Sequence, residues 1–387
     1  MRRAVIVLAG LVFTTAALAG GRDLSVAIGK ALFERAWVPA PSSTLANDGL
    51  GPMFNARACS ACHPRLDRAA RRENGEGGFE HQGMVLRLSD AQGAPDPHYG
   101  AQLQTASVQG FVPEGRLYAA AGERARAANL AFGPLAEETR TGLRAAPALR
   151  GLGLLAAVPD EAVLALADPD DRDGDGISGR ANMVDGRIGR FGLKASGVSL
   201  TDQIESAFAV DLGMSTPGRP ALAGDCMHDI CRAAPHGGTE TEPEIRGELV
   251  AMLGDYLAQV QPPASKHDAD GEKLFAAVGC ASCHVPSLPS PRGEVRAFTD
   301  LLLHDLGEEL DGGATEPGVA PTEWRTAPLW GIARALDQGA GLLHDGRATT
   351  IADAVKLHGG EGAGARARFE VLGADDRTRL LQYVEGL

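Results

Sequence analysis

Two short segments bring together the groups that can bind haem covalently: Cys59-Ser-Ala-Cys62-His63 and Cys280-Ala-Ser-Cys283-His284. In each, two thiols can add to the vinyl groups of the porphyrin, and the histidine that follows is placed to ligate the iron. Other uses of paired Cys-x-x-Cys explain less. A zinc ribbon sets its two pairs about 15–20 residues apart, whereas Cys62 and Cys280 stand far more distant. A thioredoxin-like redox pair wants a βαβ neighbourhood. Neither accounts for a histidine in fifth position twice. The chain is therefore expected to carry two covalently bound c-type haems, whose irons either pass electrons only or also perform a reaction.

The two remaining cysteines lack that form. Cys226 and Cys231, in Cys-Met-His-Asp-Ile-Cys, read as a disulfide closing a short loop, with a metal site assisted by His228 as the alternative. A further constellation spans residues 168–182, where Asp171, Asp173 and Asp175 alternate, Gly176 supplies a sharp turn and Ile177 can offer its carbonyl. That is how an EF-hand-type calcium loop begins. Asn182 stands where the closing bidentate Glu would be, so a solvated acidic turn is the alternative to a structural calcium.

The elements that must position these groups start behind a leader. Arg2-Arg3, the apolar run Val5 to Ala16 and Ala17-Leu18-Ala19 read as a secretory signal over residues 1–19. The run is shorter than the roughly 20 apolar residues of a membrane helix, so cleavage is expected, with no stable membrane span afterwards and a periplasmic location where haem attachment and disulfides are permitted. The length of 387 residues suggests two or three domains, and the net charge of −13 argues against nucleic-acid binding. It fits docking of a small basic electron-donor protein. Fifty Gly and 23 Pro against 5% aromatic residues imply many loops between helices, with cofactors replacing part of the missing core bulk.

A degenerate repeat organises the chain. Gly29-Lys-Ala-Leu32-Phe33 precedes the first haem motif and Gly271-Glu-Lys-Leu274-Phe275 the second, each with apolar residues at helical spacing. The first copy holds a Pro/Ser/Asn/Gly-rich insertion from Pro39 to Pro52. Gln261-Pro-Pro-Ala-Ser265 reads as a linker, Asp270 as the N-cap of the following helix, and Asp375 to Val384 as an amphipathic terminal helix. No sustained period-2 alternation is present. The expected fold class is all-α: two cytochrome c-like domains with long loop insertions and little sheet, an N-terminal one over residues 20–262 and a C-terminal one over 263–387.

Trp324-Arg-Thr-Ala-Pro-Leu-Trp330, Leu343-His-Asp-Gly-Arg-Ala-Thr349 and Ile351-Ala-Asp-Ala-Val355 resemble the C-terminal half of bacterial di-haem cytochrome c peroxidases. Phe54-Asn-Ala-Arg57, Tyr99-Gly-Ala-Gln-Leu-Gln104, Gly151 to Leu155, Gly186 to Ala195, Leu301-Leu-Leu-His-Asp305 and His358-Gly-Gly360 narrow this. The chain is similar over nearly its whole mature length to the related di-haem oxidoreductase family, loosely called thiol oxidoreductases.

The resemblance implies roles residue by residue. The position fourteen beyond His344, where the peroxidases carry a Met as sixth ligand of the electron-transferring haem, is His358 here. A His/His pair would lower that haem's potential relative to His/Met. Gln104 and Glu114 match the spacing of a distal Gln/Glu pair, in which the carboxylate shuttles the peroxide proton; an ordinary turn at Val112-Pro-Glu-Gly115 is the alternative. His81 occupies roughly the place of a displaceable sixth ligand at the N-terminal haem, His304 reads as a ligand or a buried hydrogen-bonded histidine, and His344 as a loop-ordering one. The peroxidases hold a structural calcium and relay electrons through a Trp in the N-terminal domain. None lies between Trp37 and Trp324 here, which leaves Trp324 and Trp330 as core residues or relays from the other side. The implied activity is peroxide reduction at the N-terminal haem, fed through the C-terminal haem by a small cytochrome or cupredoxin. The alternatives are a non-catalytic electron carrier and a diverged oxygenase or protein-modifying oxidase acting on another oxidisable substrate.

Overall fold

The computed structural model describes residues 21–43, 47–75, 78–79, 82–119, 123–239 and 241–387. The expected signal segment, residues 1–19, and His81 lie outside them. A helix over residues 21–34, α1, carries the first copy of the repeat. Helix α2, Leu200–Leu212, begins where Ser199 accepts the Asp202 amide (3.1 Å) and ends at Gly213, whose φ of 66° suits a residue without a Cβ. Helix α3 spans Gly247–Gln259. Leu32, Phe33, Phe208, Leu253 and Leu257 of these three helices share one buried core.

The second half repeats the arrangement. Helix α4, Ala269–Val278, is capped by Asp268, which accepts the amides of Asp270 and Gly271 at 3.1 Å each. The cap thus falls two residues before Asp270, which sits in the first turn and bonds Lys273. Helices α5 (Ile351–Lys356), α6 (Ala363–Glu370) and α7 (Ala374–Glu385) follow.

Both halves use one crossing. A Cβ on Gly271 would lie 2.5 Å from Tyr383 Cβ, and Phe275 meets the Tyr383 ring at 5.7 Å. In the first half a Cβ on Gly29 would run into the Met252 carbonyl and sit 2.8 Å from Tyr256 Cβ, while Phe33 meets the Tyr256 ring at 5.9 Å. The bare glycine lets each pair of helices touch backbone to side chain. The partner helices therefore carry a repeat of their own, Leu253-x-x-Tyr256 and Leu380-x-x-Tyr383.

The chain is mostly helix and loop, 31% helical with 13% strand. Little sheet is present, as expected, but strictly all-α is too narrow: the described residues form five two-stranded antiparallel ladders. The longest pairs β1, Met84–Ser89, with β2, Arg140–Ala145. Another pairs β3, Leu303–Asp305, with β4, Glu323–Arg325, setting His304 opposite Trp324.

The halves are joined by a shared core, in which Leu155 and Phe191 meet Leu288 and Leu301, and by a buried carboxylate. Asp67 accepts from Arg150 (2.8 Å), Arg334 (2.7 Å) and Gln338 (2.9 Å). Burial alone would raise its pKa, but the bonds from Arg150, Gln338 and Arg334 prevail and hold the carboxyl below the usual aspartate range. A folded-state value below the unfolded one, about 3.9, gives stability that is present above that pH and lost as pH falls through the lower folded value. Asp67→Asn is accordingly expected to cost about 2–3 kcal/mol at pH 7 and to flatten the acid limb of stability. Denaturant unfolding at pH 7 and pH 3 reads both effects, and an unchanged acid limb would refute the assignment.

Candidate functional site

Cys59–Cys62 make a single helical turn, and His63 closes it. Cys59, Cys62 and His63 face one cavity of about 260 Å³, walled by Phe33, Leu152, Phe208 and Leu253 and opened to polar groups by Gln102, Asp211, Arg87 and Arg325. Burial, then the nearby Asp211 carboxyl, pushes the Cys59 thiol up to about 12 and raises Cys62 as well, so both stay protonated. The His63 ring donates from Nδ1 to the Pro147 carbonyl at 2.7 Å. Burial pushes it down to about 4. A neutral imidazole with Nδ1 committed leaves the Nε2 lone pair as its free ligand.

The second motif repeats this chemistry. Gly279, at φ 93°, stops α4 and lets Cys280 begin a tight 3-10 turn. His284 donates from Nδ1 to the Phe298 carbonyl at 2.9 Å. Burial pushes its ring to about 4, and His358 is near enough to lower it further. His358 in turn donates from Nδ1 to the Ala354 carbonyl, one helical turn back, at 2.7 Å. A second imidazole with Nε2 uncommitted thus lies within electrostatic reach of His284.

His304 is not free to ligate. It is 3% exposed, with Nε2 on Asp300 at 2.8 Å, Nδ1 on Glu361 at 2.6 Å, and Cys283 Sγ 3.6 Å from Nδ1. Burial opposes its charge, but the bonds to Asp300, Cys283 and Glu361 outweigh that and raise it to about 12. A Cβ on Gly179 would lie 2.5 Å from His304 Cε1, so the segment leaving the Asp-rich loop buttresses this ring. Of the two readings open for His304, the structure carries the buried hydrogen-bonded one.

The donor sets fit a c-type haem at both places. The described residues contain one disulfide, Cys226–Cys231, while Cys59, Cys62, Cys280 and Cys283 remain free. Each pair of free thiols is followed by a neutral imidazole with one uncommitted nitrogen, and the first set opens into an apolar cavity.

Other expected residues fall elsewhere. Gln104 and Glu114 do meet: the Gln104 amide donates to Glu114 Oε2 at 2.8 Å. The cavity wall, however, is built by Gln102 and Val210, and Gln104 stands one layer behind, donating from Nε2 to the Gln102 and Val210 carbonyls. The polar groups at the wall, Gln102 and Asp211, are joined at 2.8 Å. Gln102 lies inside the quoted Tyr99–Gln104 stretch, two residues from the Gln104 that spacing selected; nothing in the sequence marks Asp211, which ends an ordinary amphipathic helix.

His344 is buried and stacks on Trp324 at 3.9 Å and 4°, with Arg144 4.7 Å and Lys194 3.6 Å from the indole. Trp330 closes on Gly151, where a Cβ would strike its ring. The carboxylate oxygens of Asp171, Asp173 and Asp175 lie within 4.8 Å of one another. Asp175 accepts the Ile177 amide at 2.8 Å. Asn182 turns away from them to donate to the Lys194 and Ala195 carbonyls.

A family model described as "Di-haem oxidoreductase, putative peroxidase" matches residues 114–387. The matched span takes in Cys280–His284, His304 and His358, and begins beyond Cys59–His63. No curated protein sequence matches the chain. Among solved structures, hydrazine synthase of Kuenenia stuttgartiensis, pressurised with xenon, is similar over 93% of this chain and 92% of that one, with 15% identity and a TM-score of 0.36.

Proposed function

The chain belongs to the di-haem oxidoreductase family, and from that premise we propose that it is a periplasmic enzyme which reduces peroxide at its N-terminal site with electrons received at its C-terminal site. Cys59, Cys62 and His63 would hold one covalently attached haem and Cys280, Cys283 and His284 the other, in two cytochrome c-like domains meeting near residue 262. The matched glycine-on-tyrosine helix crossings support that division. Haem at these sites would supply one-electron transfer and, where a coordination position is open, reductive cleavage of a peroxide O–O bond.

The observation that carries the reading is an asymmetry. His358 lies within electrostatic reach of His284 with Nε2 uncommitted, whereas among the described residues lining the cavity at His63 there is no second imidazole. One site is furnished for electron transfer and the other keeps room for a small oxidant. At that cavity Asp211, held in place by Gln102, would hold a proton for the departing oxygen. Gln104 would fix the Gln102 and Val210 carbonyls, and Glu114 would act from behind them. The carboxylates of Asp171, Asp173 and Asp175 would hold a calcium ion that stiffens the loop leading to Gly179 and His304. The acidic surface would receive a small basic cytochrome or cupredoxin as donor.

Hydrogen peroxide titration with a reduced small cytochrome, paired with electron paramagnetic resonance of wild type and His358→Ala, tests this. The expected result is peroxide-dependent donor oxidation, one high-spin and one low-spin ferric signal in the wild type, and conversion of the low-spin signal in His358→Ala. Two low-spin haems with no peroxide-dependent oxidation would leave a non-catalytic electron carrier.

A further inference from the structure

We propose that Glu114, Asp225 and Asp211 form a proton path into the cavity at Cys59–His63, entered at His228; this rests on the reading of that cavity as the place where peroxide is reduced. Converting one hydrogen peroxide to two waters consumes two electrons and two protons. The electrons come from the reduced donor protein, and the protons must reach a cavity whose lining is mostly apolar.

The three acids are strung along one extended segment, Ala101-Gln102-Leu103-Gln104. Asp225 Oδ2 accepts the amides of Ala101 (2.8 Å) and Gln102 (3.0 Å). Asp211 Oδ1 accepts the Gln102 side chain (2.8 Å), and Glu114 Oε2 accepts the Gln104 amide (2.8 Å). Asp211 ends the series on the cavity wall. At the other end Glu114 is fully buried, and its Oε1 has no hydrogen-bond partner. That oxygen faces His228 Nε2, also unpartnered, at 3.9 Å. One water or a small side-chain rotation closes such a gap, and an orphaned buried pair of this kind is costly unless it serves.

His228 is the partly exposed entrance, its side chain 15% accessible. It is stacked on Phe132 at 3.8 Å, edge-on to Tyr99, and carried by the loop that Cys226–Cys231 closes. The charged groups around the series are His98 and Asp229 at His228, Asp96 at Glu114, and Arg87 at both aspartates. Burial is the leading cause of a raised pKa at all three acids, to about 8 at Glu114 and about 6 at Asp225. Glu114 and Asp225 can therefore hold and release a proton near neutrality, and Asp211 holds its proton more tightly than a free aspartate. A proton taken up at His228 Nε2 passes to Glu114 Oε1, the proton Glu114 held moves on to Asp225 and Asp211, and every carboxyl ends as it began.

Stopped-flow reduction of the ferric holoprotein in weak buffer, with a pH-indicator dye, reads proton uptake without peroxide. Glu114→Gln and His228→Phe are each expected to slow that uptake by about tenfold or more with the haem absorption spectrum unchanged, and Glu114→Asp to recover part of the rate. Unchanged uptake in both variants overturns the path. Slowed uptake in a protein that turns over no peroxide sinks the peroxidase reading and keeps the path; normal uptake beside normal turnover does the reverse. Should Glu114→Gln fail to fold, His228→Phe at the accessible end gives the same readout.

Discussion

With Cys59 and Cys62 both replaced by alanine, the protein is expected to hold one haem per chain instead of two and to lose peroxide-dependent donor oxidation. The Cys280→Ala/Cys283→Ala variant is expected to hold one haem as well, but to keep a high-spin signal and lose electron supply. Haem attachment needs the thiols reduced and within reach, and all four are free while Cys226 and Cys231 pair with each other. His63 alone, which would ligate from one side with no described imidazole opposite, would be a poor anchor for a cofactor whose other attachments are gone. The absorbance of the reduced pyridine haemochrome per chain checks the count, and the spin state of the surviving haem shows which site it occupies. Two haems in either variant would refute the attachment assignment.

Gly271→Val and Gly29→Val are each expected to be strongly destabilising, because both glycines are buried at a helix crossing. Valine gains a few tenths of a kcal/mol over glycine in helix propensity. Against that, its Cβ would stand 2.5 Å from Tyr383 Cβ at Gly271, and at Gly29 it would strike the Met252 carbonyl. Main chain cannot rotate aside, so the helices must part, and the cost belongs at or above the upper end of the overpacking range, about 3 kcal/mol. Phe275→Ala, which leaves the crossing in place but empties it, is expected to cost about 3–5 kcal/mol. Denaturant unfolding of the three variants measures this. A Gly271→Val protein as stable as wild type would mean that the crossing is looser than described.

The sequence made some of this legible and hid the rest, for physical reasons. The Cys-x-x-Cys-His segments stand out because the chemistry they would serve is local: thiols and imidazole must be neighbours in sequence to be neighbours on one porphyrin. Gly29/Phe33 and Gly271/Phe275 were visible as a repeat, but their partners Tyr256 and Tyr383 were not, because a helix crossing leaves no mark on the intervening chain. The Met84–Ser89 ladder escaped because its alternation is short and blurred: apolar Val85 sits between buried Met84 and Leu86, and the partner strand buries its last four residues in a row. Asp268 outcompeted Asp270 as a cap by standing at the residue where the extended backbone ends. At the cavity, spacing selected Gln104, whereas Gln102 of the same segment reaches the wall and Gln104 is spent on the Gln102 and Val210 carbonyls behind it. Asp211 arrives from a distant helix and has no local signature at all.

The three imidazoles assigned to the irons, on His63, His284 and His358, are all oriented by main-chain carbonyls, those of Pro147, Phe298 and Ala354. A side-chain acceptor can be deleted by one nucleotide change; a carbonyl is supplied by whatever residue occupies the position. The tautomer and pointing direction of these rings are therefore insured against substitution, and only a shift of the backbone removes them. Drift can rework the cavity walls and the acids behind them while the three rings that would hold the irons stay in register.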